Sequence, residues 1–165
     1  MANFKELNEN LDKVLQILLS NQDLCKLLYY DTIDALGKED FNLEETPKLL
    51  MFKKIFPFMK DTKVLTTASS ILMVGLDNFK PTKANNFVNN ILYFRILCHE
   101  DLWQLQSGYR PYKIVYEIAN MINDQNGIGI WKTKFYNGGE VSDGKDYKGF
   151  EITYEISEFG KNFNG

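Results

Sequence analysis

The side chains best suited to chemistry stand together at Cys98, His99, Glu100 and Asp101. Thiolate, imidazole and carboxylate groups are ligands of zinc and form the nucleophile and base pairs of hydrolases. The cluster closes the apolar run ILYFRILC, whose alternation is typical of a strand. Adjacent side chains on a strand point to opposite faces, so Cys98 and His99 cannot both face one metal without a bend. The chain has no second histidine, and the pattern favours a strand end with a hydrogen-bonded histidine.

Other candidate sites lack the residues or the spacing that their chemistry requires. A Cys–His hydrolase needs a setting that favours a thiolate and an orienting Asn or Asp, and the sequence identifies neither. The stretches GIGI and NGGEVSDGKDYKG lack the GK[ST] ending of a phosphate-binding loop. Asp31, Asp34, Glu39 and Asp40 lack the EF-hand spacing. We therefore predict no catalytic residue, no cofactor and no metal, and we do not expect an enzyme.

Length and composition fit a single domain of 165 residues. The formal net charge of −3 gives no general attraction to nucleic acid, so we expect no sequence-specific nucleic-acid binding. The two cysteines, Cys25 and Cys98, are expected to be reduced core thiols. The start MANFKELNEN has no signal-peptide pattern, and the apolar runs are far shorter than the ~20 residues that span a bilayer. We expect a soluble protein made in the cytoplasm, with no membrane partner.

The run from Ile91 to Asn126 gives the clearest structural pattern. Its strand divides the side chains into one face with Leu92, Phe94, Ile96 and Cys98 and another with Ile91, Tyr93, Arg95 and Leu97. Pro111 suits the first position of a helix, and Gly127 suits its end. The apolar stripe of that helix consists of Ile114, Ile118, Met121 and Ile122.

Helices and strands elsewhere in the sequence indicate the fold class. Asn3 and Glu6 suit the start of a first helix, and Ser20 and Asn21 suit the cap of a second. The polar face of the first helix carries acids as well as lysines, which favours core packing over a membrane surface. Further strands are predicted at ASSILMVGL, IWKTKFY and FEITYEI. The order predicts an α+β fold with an antiparallel sheet of about four strands and helices packed on one face.

Two segments show no clear period. Residues 31–63 are predicted to form an irregular arm or loop, between a helical part at 1–30 and a sheet-and-helix body at 64–160. The stretch NGGEVSDGKDYKG, residues 137–149, is predicted to project as a long polar loop. All three parts are assigned to one domain spanning 1–165.

The two arginines are interpreted by their position in these elements. Arg95 lies within a strand and is expected to face solvent or a carboxylate. Arg110 precedes Pro111, where two roles remain open. It could anchor a turn or reach a neighbouring subunit.

The middle of the chain resembles the small neck proteins of tailed bacteriophages, especially tail terminator and tail-completion proteins. The resemblance is carried by ILMVGLDNF, NNILYFRILCHEDLW, YRPYKIVYEIANMIN and GIGIWK. It implies a structural virion protein that forms a hexameric ring, caps the tail tube and joins it to the head connector. The implied partners are copies of itself, the tail tube protein and the connector or stopper protein, with packaged DNA near the ring lumen. The implied location is the tail or neck of the virion, after assembly in the host cytoplasm.

The same resemblance implies where contacts would lie. Ring and tube contacts are expected in the two irregular segments and at the second arginine. The predicted interface residues are Phe56, Pro57, Phe58, Arg110, Lys145, Asp146 and Tyr147. Two alternatives remain open: a head-completion or stopper protein of the neck, and a small binding or adaptor domain unrelated to phage, since a fold does not fix a function.

Overall fold

The computed structural model describes residues 5–81, 87–129 and 132–159. Within those residues the chain forms four α-helices and one five-stranded sheet. The helices are α1 (Lys5–Ser20), α2 (Gln22–Tyr29), α3 (Thr46–Leu50) and α4 (Arg110–Ile122). The strands are β1 (Ile55–Phe56), β2 (Ser70–Pro81), β3 (Phe87–His99), β4 (Lys134–Asp143) and β5 (Tyr147–Phe159). The predicted helix cap Asn3 lies outside the described residues.

The sheet has the strand order β1-β2-β3-β5-β4. The pairs β2–β3, β3–β5 and β5–β4 are antiparallel, and β1 pairs parallel with β2. The predicted α+β class is confirmed. The sheet is mixed and has five strands instead of about four, because β1 has two residues and is too short to show the alternation that reveals a strand in sequence.

The helices cover one face of this sheet, as the alternation predicts. Leu92, Phe94, Ile96 and Cys98 of β3 are completely buried on that face. They share one apolar core with buried side chains of α1, α2 and α4, among them Leu24 and Ile118. Burying each such aliphatic side chain contributes about 1.5–3 kcal/mol, so this layer is the main source of stability.

Local sequence signals predicted the starts of α2 and α4 correctly, but not the end of α4. The side chain of Asn21 accepts a hydrogen bond from the Leu24 N–H at 2.8 Å, which confirms it as the cap of α2. Pro111 lies in the first turn of α4, as predicted. The prediction that α4 runs to Gly127 is wrong, because the helix ends at Ile122. There the Thr133 hydroxyl donates to the Ile122 carbonyl, one of the carbonyls that lack a partner within the helix.

Residues 31–63 are folded onto the body and contain short regular elements. They include a 3₁₀ turn at Ala35–Gly37, α3 and β1. The Gln22 side chain exchanges two hydrogen bonds with the Phe41 backbone, at 2.8 and 3.1 Å. The rings of Tyr30 and Phe41 stack 5.5 Å apart. The predicted irregularity therefore reflects elements of two to five residues, which are too short for a hydrophobic period.

The predicted projecting loop at 137–149 is wrong. Most of it belongs to β4 and β5, which pair as a hairpin from Lys134 opposite Glu155 to Asp143 opposite Tyr147. The glycines concealed the strands, since glycine is uncommon inside a strand and marks turns in sequence. At Gly149 the reason for glycine is a close approach, because an added Cβ would overlap the backbone carbonyl of Ile96.

Candidate interaction surfaces

The face of the sheet that points away from the helices is only half covered by the described part of the chain. Residues 57–65, which we call the strap, run over one end of it. The Lys60 N–H donates to Met73 Sδ at 3.3 Å, and the Thr62 N–H donates to Asp143 Oδ2 at 3.2 Å. The strap thus links the β1 edge to β4. Beneath this end lies a second, smaller apolar cluster formed by Phe56, Ile71, Met73, Leu97 and Tyr147.

Beyond the strap the same face forms an open groove of about 640 Å³. Its lining includes Met59 of the strap, Ile91 and Tyr93 of β3, and Thr153 of β5. The Tyr93 ring lies across Gly75 of β2, in the space that a Cβ would occupy. Four strands, β2, β3, β5 and β4, therefore supply an amphipathic floor, and the strap supplies one wall.

Acidic side chains give the groove its electrostatic character. Asp77 and Glu151 are the two charged residues in its lining. Burial raises the pKa of Tyr93, and the carboxylates of Asp77 and Glu151 raise it further. Arg95 lies beside Glu151 with 4.0 Å between Nε and Oε2, which confirms that it faces a carboxylate and offsets part of the negative charge. The Arg95 Nε has no hydrogen-bond partner within the described residues.

Next to the groove, at the β1 edge, lies a lysine-flanked aromatic surface. We call Phe52, Lys53, Phe58 and Lys60 the basic patch. Phe52 is 63% exposed and Phe58 46% exposed, with 6.3 Å between their ring centroids. Phe52 has φ 59°, and its N–H donates to the Ile55 carbonyl at 2.8 Å, so a tight turn holds the ring outward. The Lys60 ammonium lies 5.3 Å from the centre of the Phe56 ring, within cation–π range.

A second aromatic surface lies on the outer side of α4. Tyr109, Tyr112 and Tyr116 are each more than half exposed and follow helical spacing. Tyr112 packs edge to face on Phe150 of β5, with 4.7 Å between ring centroids. At the free edge of the sheet, β4 exposes Phe135 to a similar extent. Aromatic side chains at such positions are enriched in protein interfaces.

Most of the predicted interface residues at 56–58 and 145–147 are partly or fully buried. Phe56 is 3% exposed and Tyr147 7% exposed, and the Tyr147 hydroxyl donates to the Thr67 carbonyl. Pro57 and Asp146 are half-buried, whereas Phe58 and Lys145 are exposed. The structure therefore brings Phe58 to a surface with Phe52, and Lys145 and Asp146 lie in the β4–β5 turn.

Arg110 is buried and serves the first of its two predicted roles. Its guanidinium donates to the carbonyls of Leu102, Tyr30 and Thr32, each at 2.8 Å, and to the carbonyl of Leu27. Two of these carbonyls lie in the last turn of α2 or directly after it, where helix carbonyls lack partners. With 1% of its surface exposed, Arg110 anchors the turn to α2.

The cluster at Cys98 is arranged as a strand end. Cys98 is completely buried, and burial raises the pKa of its thiol to about 12. Burial raises the pKa of the Cys25 thiol to about 12 as well. His99 Nδ1 accepts a hydrogen bond from the Asp101 N–H at 3.2 Å, which confirms the expected hydrogen-bonded histidine. The described ranges contain no group of three His, Cys, Asp or Glu side chains placed to hold a metal, and no helix in them is long and apolar enough to cross a membrane.

The surface residues that sequence reasoning missed belong to two sets. The acids of the groove, Asp77 and Glu151, come from strands that meet only through their register with β3. No linear pattern predicts that meeting. The basic patch did leave a signal, since Phe52, Lys53 and Lys54 are consecutive and precede the aromatic run at 56–58.

Fold and surfaces together define an α+β domain with one sheet face left half open beside an exposed basic and aromatic edge. The chain belongs to the YomW family, whose family model matches residues 21–156. That range begins at the cap of α2, ends within β5 and includes both the groove and the basic patch. The family name is that of a phage-derived protein of an SPβ-like prophage, which indicates a phage-related protein. No curated protein matches the chain.

Proposed function

We propose that this protein is a structural assembly protein of the phage neck, a tail terminator that forms a ring on the end of the tail tube. The membership of a phage-related family and the resemblance of ILMVGLDNF, NNILYFRILCHEDLW and YRPYKIVYEIANMIN to tail terminators support this function. The observation that carries the proposal is the pairing of a half-open sheet face with a different, exposed aromatic edge on one body.

Two unlike surfaces on one chain are what ring formation requires. When a surface of one subunit meets a different surface of the next, the contact is heterologous, and such contacts close into rings or continue as filaments. The sheet and its helices supply a rigid body on which the groove and the basic patch keep a fixed angle. The partners in this function are copies of the chain, the tail tube protein, and the connector or stopper protein. The protein acts in the virion neck after assembly in the host cytoplasm.

The exposed tyrosines of α4 and the free edge of β4 give the ring further surfaces for those partners. Large contiguous apolar areas are rare on monomeric proteins and mark interaction sites. A ring that caps a tube must contact the tube on one side and the connector on the other. The groove and patch would be used between subunits, which leaves α4 and β4 for these axial contacts.

The proposal is tested with the full chain and the tail tube protein of the same phage. Light scattering gives the mass of the chain alone and with tubes, and electron microscopy shows tube ends and tube lengths. We expect a ring on one end of each tube and tubes that stop growing once the chain is added. The tube protein alone, and the tube protein with an unrelated protein of similar size, are the controls. A chain that stays monomeric with tubes and leaves their length unchanged contradicts the proposal.

A further inference from the structure

We propose that the acidic groove is the docking site for the basic patch of a second copy of this chain. The inference rests on the proposed function, because it names the contact between neighbouring subunits of the ring. The occupant is a second copy because the same chain carries a surface whose charge and chemistry match those of the groove.

Charge complementarity is the first argument. Asp77 and Glu151 are the charged residues in the groove lining, and Lys53 and Lys60 flank the exposed rings of the patch. The chain as a whole is acidic, with a formal net charge of −3. Five lysines and one acid nevertheless fall within residues 48–63. Opposite potentials of this kind steer two surfaces together and penalise wrong pairings.

Apolar matching is the second argument. The groove floor offers Ile91 and the face of Tyr93, and its rim offers Met59, which is 50% exposed. The patch offers Phe58 as a ring that stands out from the β1 edge. Aromatic side chains that fill a pocket at the centre of an interface carry most of its binding energy. Phe58 would be that side chain, with Lys53 and Lys60 meeting the carboxylates around it.

The incomplete pairing of the groove carboxylates within their own chain is the third argument. Glu151 reaches Arg95 only at 4.0 Å, and Asp77 forms no salt bridge within the described residues. Asp77 accepts one local hydrogen bond, from the Asn78 N–H at 2.6 Å. Both carboxylates therefore retain acceptor capacity toward an incoming ammonium group. Within its own chain the Lys60 ammonium lies over the Phe56 ring. A carboxylate from a neighbouring subunit would add an ion pair to that contact.

Charge reversal on each surface tests the inference. The patch variant is Lys53→Glu/Lys60→Glu, and the groove variant is Asp77→Lys/Glu151→Lys. Each puts like charges across the contact, and we expect the dissociation constant for self-association to rise at least about 100-fold. Matched controls reverse the same number of exposed charges elsewhere: Lys13→Glu/Lys132→Glu and Asp12→Lys/Glu44→Lys. These controls should assemble like the unaltered chain.

Mixing the two variants gives a second, more demanding readout. In the mixture, the lysines introduced into the groove variant face the glutamates introduced into the patch variant. The unaltered groove of the patch variant faces the unaltered patch of the groove variant, so this contact keeps its natural charges. An equimolar mixture should therefore recover the mass of the unaltered assembly, with the two variants alternating. Because Glu151→Lys stands beside Arg95 and could unfold the chain, Asp77→Lys alone serves as a second groove variant. Circular dichroism melts confirm that every variant is folded.

The outcomes separate the inference from the proposed function. Rings on tubes that form equally well with both charge-reversed variants overturn the inference and leave the terminator function standing. The same holds if the variants self-associate normally but lose only tube binding, since the groove would then hold the tube protein. If mixing the two variants restores association but yields only a dimer, the result supports the groove contact and contradicts the ring. A folded chain that never self-associates, alone or on tubes, overturns both.

Discussion

Arg110 places a charged group inside the protein, where its guanidinium donates hydrogen bonds to four backbone carbonyls. The carbonyls of Leu27 and Tyr30 lie at the C-terminal end of α2, where a cation is favourable because the helix dipole is negative there. Burial lowers the pKa of the guanidinium, but an arginine remains protonated at neutral pH. One side chain therefore joins α2, the turn after it and the start of α4.

Replacing Arg110 should be among the most damaging single changes in the chain. Arg110→Ala leaves four carbonyls without their donor and a cavity among them, and we expect a loss of roughly 3–5 kcal/mol in the free energy of unfolding. Urea unfolding measures this loss. Lys113→Ala, three residues along the same helix and half-buried, is the matched control, with an expected change within about 0.5 kcal/mol. Equal midpoints for the two variants would show that the guanidinium contacts contribute little.

Asn89 and Asn90 are neighbours on β3 with opposite surroundings. The Asn89 side chain donates to Glu155 at 3.0 Å and accepts from the Ser157 hydroxyl at 2.7 Å. Asn90 is completely buried on the helix side of the sheet. Neither polar atom of its side chain has a hydrogen-bond partner within the described residues. An amide buried in this way destabilises the folded state.

The two asparagines should therefore respond in opposite directions to the same change. Asn90→Leu removes an unpaired amide, and we expect it to raise the free energy of unfolding by about 1–2 kcal/mol. Asn89→Leu removes two hydrogen bonds and should lower it by a similar amount, about 1–2 kcal/mol. Thermal and urea unfolding of the pair give the comparison. A loss of stability in Asn90→Leu would mean that its amide is satisfied in solution.

At the scale of elements, the β4–β5 hairpin depends on glycine at one position and not at another. Gly149 lies so close to β3 that a Cβ would overlap the Ile96 carbonyl. Gly139, in the paired strand, has nothing within 4 Å of an added Cβ. We expect Gly149→Ala to cost at least about 2 kcal/mol through displaced backbone, and Gly139→Ala to change stability by less than about 0.5 kcal/mol. Urea midpoints measure both, and a tolerated Gly149→Ala would contradict the close approach.

The elements that sequence analysis located are those long enough to repeat a pattern. The faces of β3 and the stripe of α4 extend over several repeats, and Asn21 and Pro111 mark helix starts by chemistry that acts locally. β1 was missed because two residues have no period. Both hairpin strands were predicted in part, at IWKTKFY and FEITYEI. Their extension through residues 137–149 was missed because glycines inside these strands have the same sequence signature as turn glycines.

The candidate surfaces were harder to predict from the sequence than the core. Phe56 and Phe58 were predicted together as interface residues, but Phe58 is exposed and Phe56, two residues earlier, is buried. Both residues lie in the same aromatic run of the sequence. Which of them is buried depends on the path of the strap, which the sequence does not show. The groove depends on register, which sets Gly75 opposite Tyr93 and Tyr93 opposite Thr153. Such long-range pairing is decided by the whole sheet.

At the scale of the whole molecule, the two faces of the sheet have different roles: one holds the core and the other forms the groove. The face covered by the helices holds the fully buried layer that stabilises the fold. The opposite face is closed by the strap at one end and left as a groove at the other, and the strap carries Phe58 and Lys60 of the basic patch. One segment therefore shapes the groove and also supplies part of the surface that would enter a neighbour's groove.

The balance of charge and apolar contact in that assembly predicts its response to salt. The Debye length falls from about 10 Å at 0.1 M to about 3 Å at 1 M salt, so attraction between partly exposed charges is largely screened. We expect the dissociation constant for self-association to rise at least about tenfold over that range. Phe58 and the groove floor should retain part of the affinity. Light scattering over a dilution series measures the change, and unfolding midpoints over the same salt range serve as the control for the fold. Association that strengthens with salt would mean that apolar burial alone joins the subunits, and the lysines and carboxylates would then have no part in the contact.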